Sequence, residues 1–236
     1  MSEILSQDEI DALLSAVESE EFASLGYNAI GEQYKVQIYD FRRPIRFSKK
    51  HLIGLLKIHE RFEKTVSNLF TDKLGIESRV RCGSVDQIAY EEFIRAMPNP
   101  TTIVEIDMAP LPGKAILEID PTVTFSILSG LLGGELGNTK VPYRKLTYIE
   151  CGLMEGISLM ILGCLRETWP SILDLRPRLI EIHDNPNYVN IILKDEQMIY
   201  ISLETQIGDK EAMMSLCYPY PTLRSILKNI EEVIYE

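Results

Sequence analysis

The side chains able to do metal or nucleophilic chemistry are few and scattered. Cys82, Cys151, Cys164 and Cys217 form no CxxC pair, so they suggest neither a disulfide framework nor a zinc site and read as buried reduced thiols. His51, His59 and His183 have no Asp, Glu or Cys partner at a recognised metal spacing and are assigned structural roles. GxSxG and a Ser, His, Asp set are missing. The remaining candidate is the glycine cluster Gly133-Gly134-Glu135-Leu136-Gly137 within LSGLLGGELGNTKVPYRKLT. As a phosphate loop it fails, because no Lys-Ser or Lys-Thr follows at the required spacing and no strand feeds it. Its glycines either cap the apolar segment Phe125 to Leu132 or bare the backbone to a partner, and the exposed-loop reading is preferred. No metal or cofactor is expected.

Charge narrows the partners. Residues 1 to 34 hold Glu3, Asp8, Glu9, Asp11, Glu18, Glu20, Glu21 and Glu32 and no Lys or Arg, so -8 of the formal net charge of -11 lies in that arm. Phosphate backbones reward clustered Lys and Arg, which makes nucleic acid a poor partner and a basic protein surface a good one. No apolar run is read as approaching the roughly 20 residues that span a bilayer. A signal peptide would carry basic residues where Glu3, Asp8 and Asp11 stand. A soluble, cytoplasmic protein without direct membrane insertion is the expectation.

The arm carries one well-formed helix signal. Ser6 and Glu9 make a capping box, the helix starts at Gln7, and Ile10, Leu13, Leu14 and Val17 fall on one face at i, i+3, i+4, i+7. A helix of about 12 residues is marginal in water unless its apolar face is covered. Docking on the chain's own core would cover it, but residues 18 to 37 are acidic and punctuated by Gly26, Asn28 and Gly31, and read as a tether. That favours a helix laid in a partner's groove, bound weakly, on the order of micromolar.

The body begins near Tyr39. Ser48 caps a helix through Leu52, Leu55, Leu56, His59, Phe62, Val66 and Leu69 that stops at Gly75. Ninety-nine residues later Thr147, with Glu150 closing a capping box, opens a second through Leu153, Ile157, Met160, Ile161 and Leu165, ending before Pro170. The same offset relates Ser126-Ile127-Leu128 to Ser225-Ile226-Leu227, so an internal duplication is inferred. Strand patterns cover Ser84 to Ala89, Thr102 to Met108 and Lys114 to Ile119, then Leu179 to His183, Val189 to Leu193, Met198 to Glu204 and Ala212 to Tyr218. A short helix is expected over Thr222 to Ile230. The expected fold is α/β (α+β): antiparallel strands with helices packed against the sheet, and halves related by a rough twofold.

These residues carry a resemblance. ILSQDEIDALL, YDFRRPIRFSKKHL with KIHERF, the glycine loop, RKLTYIE, EIHDNPNY and PYPTLRSIL together resemble the FliM family of flagellar motor switch proteins over nearly the whole chain. The resemblance implies a docking segment for phosphorylated CheY at residues 1-17, with Leu5, Ser6, Gln7, Glu9, Ile10, Leu13 and Leu14 as contacts. It implies an acidic linker at 18-37, and at 38-236 a middle domain that joins neighbouring copies in a ring and binds FliG through Gly133, Gly134, Glu135 and Gly137. The family's loop reads GGxG, and this one holds one residue more. Members end in a further domain that binds FliN-type proteins, whereas this chain stops at Glu236. The implied location is the cytoplasmic ring of the flagellar basal body, on the inner face of the membrane.

The middle domain is also similar to the CheC and CheX phosphatases, a pseudo-twofold α/β/α sandwich. Their activity uses a helical Asp or Ser, a Glu four residues on and an Asn three further. The best register here, Cys151, Glu155 and Ser158, keeps the Glu and lacks the Asn, while the first copy offers Leu52, Leu56 and His59. A serine is too short to place an attacking water as an amide does, so both copies read as catalytically empty and no enzyme is expected. Ser158→Asn is expected to matter to an enzyme and to be silent in a scaffold.

Overall fold

The computed structural model describes residues 45-134 and 141-235. Helix α1 (Lys49–Leu74) opens with a capping box in which Ser48 Oγ accepts the His51 amide and His51 Nδ1 accepts the Ser48 amide, and closes on left-handed Gly75. It leads into β1 (Ser78–Ala89), α2 (Tyr90–Ala96), β2 (Thr102–Asp107), β3 (Lys114–Ile119) and α3 (Pro121–Leu131). The second half follows as α4 (Tyr148–Thr168), β4 (Arg178–His183), β5 (Gln197–Ile207), β6 (Lys210–Pro219), α5 (Tyr220–Leu223) and α6 (Leu227–Glu232).

The six strands form one antiparallel sheet in the order β1-β5-β6-β3-β2-β4. Exchanging β1, β2 and β3 for β4, β5 and β6 reverses that order onto itself, so a rough twofold runs through the β3–β6 pair. The outer pairs agree in register where they begin: Arg79↔Gln206 and Val80↔Thr205 on one edge match Arg178↔Asp107 and Leu179↔Ile106 on the other under the 99-residue offset, after which β4 bulges at Ile180, whereas β1 stays regular to Cys82. The hairpin pairs β2–β3 and β5–β6 differ from that offset by two residues, Thr102 meeting Ile119 rather than Leu117. Because the side-chain period is two, the same residues still face the core.

Alternation along the strands feeds two cores. Val104, Ile106, Leu117, Ile119, Ile199, Ile201, Met214, Leu216 and Tyr218 face α1, α3 and α4 in the larger. Ile103, Ile116, Met198 and Cys217 point the other way, toward Tyr90 and Phe93 of α2 and toward Val189. At the far end of α1 the C-terminal chain comes close over Gly54, where an added Cβ would lie 2.3 Å from the Ile230 carbonyl oxygen.

Several expectations are corrected. β1 begins at Ser78, six residues before the expected start. Val189 to Leu193 is not a strand: Tyr90 Oη donates to the Val189 carbonyl, and the Glu91 amide to the Lys194 carbonyl, so the segment fills the smaller core as irregular chain. The expected helix over 222-230 is broken into α5, a 3₁₀ turn at Arg224–Ile226 and α6. Leu56 and Met160, expected in the core, are exposed. Only Cys217 is fully buried; Cys82, Cys151 and Cys164 are unpaired and half-buried. α4, at 21 residues and a mean hydropathy of 1.5, does reach the length and apolarity of a membrane span, because both of its sides are apolar.

Candidate functional site

The connection from α3 to α4 begins with a helix ending that demands glycine. Gly133 takes φ +75°; its amide donates to the Gly130 carbonyl, and the Gly134 amide to the Ser129 carbonyl at 2.8 Å. These two bonds make a Schellman cap, which any residue with a Cβ would strain at Gly133. A Cβ on Gly134 would lie 2.7 Å from Ser129 Oγ. Both glycines are exposed and follow Leu132, which is 65% exposed. Glu135 and Gly137 lie outside the described residues.

The other end of the connection is held rigidly. The Arg144 guanidinium donates to both Glu150 carboxylate oxygens at 2.7 Å and lies 5.1 Å from the Phe125 ring on α3. Those hydrogen bonds hold the Glu150 carboxyl down at about 2. Glu150 also accepts the Thr147 amide, closing the capping box of α4. Arg144 is therefore a structural brace rather than a free surface cation, and Lys145 pairs with Asp184. The consequence is outward projection: Tyr148 is 98%, Ile149 76% and Tyr143 74% exposed, with the Tyr143 hydroxyl donating to the Asn99 carbonyl. Large apolar side chains fixed in water mark an interaction surface when they cluster. Sequence reasoning missed Tyr148 and Ile149, although Tyr148 stands opposite the core-facing Ile157 on the helix.

The outward side of α4 continues this surface. Ile149, Gly152, Gly156, Leu159, Met160 and Gly163 fall within about 100° of the helix circumference, and the charged residue in that arc, the exposed Glu167, stands in the last turn of α4. Among the described residues nothing comes within 4 Å of a Cβ built on any of the three glycines. Such glycines cost helix stability, about 1 kcal/mol each against alanine, and no contact among the described residues repays them. The outward side of α1, by contrast, carries Lys49, Lys57, Glu60 and Lys64 around Ile53.

The phosphatase-like register points the wrong way for catalysis. Ser158 is fully buried and its Oγ has no hydrogen-bond partner among the described residues. His59 is also fully buried, its Nδ1 bonded to the Leu55 carbonyl and its Nε2 to Tyr218 Oη at 3.0 Å. Glu155 and Leu56 face solvent, and Cys151 is half-buried. Asparagine at position 158 would force an amide into the core, so the expectation that this replacement is silent in a scaffold is withdrawn. The other histidines have partners as well: His51 reaches Glu231 at 3.1 Å, and His183 reaches Glu105 at 3.2 Å. The CheY-contact set Leu5, Ser6, Gln7, Glu9, Ile10, Leu13 and Leu14 lies outside the described residues, as do Arg42 and Arg43.

Comparison with known proteins meets this architecture. A family profile described as "Flagellar motor switch protein FliM" matches residues 48–234. The chain belongs to the FliM family. The flagellar motor switch protein FliM of Treponema pallidum is 43% identical over 230 residues, covering 98% of this chain and 67% of that protein. The FliM of Borreliella burgdorferi is 41% identical over 233 residues, covering 96% and 66%. The chain thus spans about two thirds of the length of these curated relatives. Among solved structures, the FliG–FliM complex from H. pylori matches with a TM-score of 0.74 and 30% identity, covering 77% of this chain and 99% of that one. The span matched by the family profile includes both the α3–α4 connection and α4.

Proposed function

We propose that this FliM-family chain is a structural and signalling part of the flagellar motor switch, and that it works by binding rather than by catalysis. The observation that carries this is the rigid, exposed apolar group Tyr143, Tyr148 and Ile149 on the same connection as Leu132 and the capped glycines. The relative solved in complex with FliG supports assigning this surface to FliG. The outward side of α4 beyond Ile149, from Gly152 to Gly163, is assigned to a neighbouring copy in the ring, where its glycines let a second element approach closely.

On this reading residues 1–17 capture phosphorylated CheY through Leu5, Ser6, Gln7, Glu9, Ile10, Leu13 and Leu14, and residues 18–37 let that segment search. Residues 38–236 form the ring body at the cytoplasmic face of the basal body. Contact with a FliN-type protein rests on the family alone. Capture shifts the ring between two arrangements that FliG reads as rotation sense. The alternative of a CheY-phosphate phosphatase is disfavoured by the burial of Ser158 and His59.

The FliG assignment is tested by isothermal titration of FliG into this chain and its Ile149→Asp variant. The expected result is at least about tenfold weaker binding with an unchanged melting temperature, as for loss of a central apolar contact. Equal affinity removes FliG from this surface.

A further inference from the structure

The two edges of the sheet are treated differently. Along β1, three acceptors from α1 meet the outward amides: Glu63 Oε2 takes the Cys82 amide at 2.8 Å, Ser67 Oγ the Val80 amide at 2.8 Å, and Thr71 Oγ1 the Ser78 amide at 3.1 Å. These residues stand at i, i+4, i+8, one helix face laid along one strand edge. An edge so bonded is closed to further pairing.

At the other edge the corresponding positions, 99 residues on, are Leu162, Arg166 and Pro170. None has a side-chain acceptor, and Arg166 is turned to Asp174. Among the described residues no side chain and no second strand bonds the outer edge of β4, although the strand bulges at Ile180, which pairs with no residue of β2 and is 45% exposed. A strand edge of this kind recruits an extended segment.

We infer that the β4 edge receives residues 34–40 of a neighbouring copy as a seventh strand. The sequence Tyr34-Lys35-Val36-Gln37-Ile38-Tyr39-Asp40 alternates Tyr34, Val36 and Ile38 with Lys35, Gln37 and Tyr39. At seven residues it is one longer than β4, and Pro44 follows it. The donor is another copy because of where the chain enters the fold. The Arg46 and Phe47 amides both donate to Gln87 Oε1 on β1, at the opposite edge. A strand added beyond β4 lies six strand spacings away, about 29 Å, whereas residues 40 to 46 span at most about 21 Å. The exchange is head-to-tail, which builds a ring where the rotation between copies closes. It rests on the proposed side-by-side packing of copies.

The test is amide hydrogen exchange of residues 178–183 in the full chain across a concentration series, with self-association followed by sedimentation. The Val36→Pro/Ile38→Pro variant, which cannot donate to the ladder, is run in parallel, and its unchanged melting temperature shows that the body is intact. Exchange slowed at least about tenfold as copies associate, with the slowing lost in the proline variant, is the expected result. Slow exchange at every concentration assigns the strand to the same copy and overturns the inference. Slowing that survives the prolines overturns it in favour of another occupant. Association with β4 still exchanging freely overturns it and leaves the packing of copies standing. Free exchange with no association overturns both.

Discussion

At His59, burial against Phe62, Trp169 and Tyr218 lowers the imidazole pKa to about 4, desolvation outweighing the bond to the Leu55 carbonyl. The unfolded chain takes up that proton near its ordinary value of about 6.5, so stability is lost as pH falls from about 6.5 toward about 4. Glu118, on the other face of the sheet, is pushed up to about 7 by burial, the Thr101 hydroxyl bond at 2.7 Å opposing and the Asp120 charge adding. Its folded pKa is raised, so its contribution is fully present below about 4.5 and is lost as pH rises to about 7. The two slopes oppose each other between about 4.5 and 6.5. Glu118→Gln, which keeps a neutral group in place, is therefore expected to gain stability relative to the parent chain at pH 8 but not at pH 4.5, by up to about 3 kcal/mol. Urea midpoints at the two pH values check this, and an equal difference at both would remove Glu118 as the source.

The helices divide their residues between folding and binding. α1 places Leu55, Phe62, Val66 and Phe70 in the core and uses Glu63, Ser67 and Thr71 to close a strand edge. α4 buries Met154, Ile157, Ile161 and Leu165 and leaves its other side apolar and glycine-rich. Alanine at Gly152 and Gly156 is expected to raise the monomer's unfolding free energy by up to about 2 kcal/mol together. Where a neighbour seats closely, the same methyl groups obstruct it, so self-association weakens in the same variant. Denaturation and sedimentation measured side by side decide the matter, and a gain in both would mean that this side of α4 is merely exposed.

For the molecule as a whole, the charge asymmetry matters most. The acidic arm of residues 1–34 holds most of the net charge, and a tether of about 20 residues gives a captured partner an effective concentration near millimolar at the body. A labelled peptide of residues 1–17, titrated with CheY and followed by fluorescence anisotropy, is expected to bind the phosphorylated form more tightly, with Ile10→Asp abolishing the difference. Equal or absent binding would return the segment to the alternative in which it folds on its own core.

Signals that act within a few residues were legible in the sequence. The N-cap at Ser48, the capping box of Thr147 with Glu150, the stop at Gly75 and most strand positions follow from bonds and alternation internal to each segment, and the 99-residue offset foretold the twofold. Features that need a distant partner were not. The apolar run Val189 to Leu193 reads as a strand, yet Tyr90, ninety-nine residues away, holds it as irregular chain. Tyr148 and Ile149 look like the start of a core helix until the brace of Arg144 on Phe125 and Glu150 turns them outward. Ser158 has the spacing of a catalytic position and is buried in the core. The sequence by itself determined the two long helices, most of the strands and that the chain resembles a motor switch. Only the tertiary structure decided which apolar surfaces and which sheet edge stay open, because exposure is set by what packs across the fold and not by neighbours along the chain.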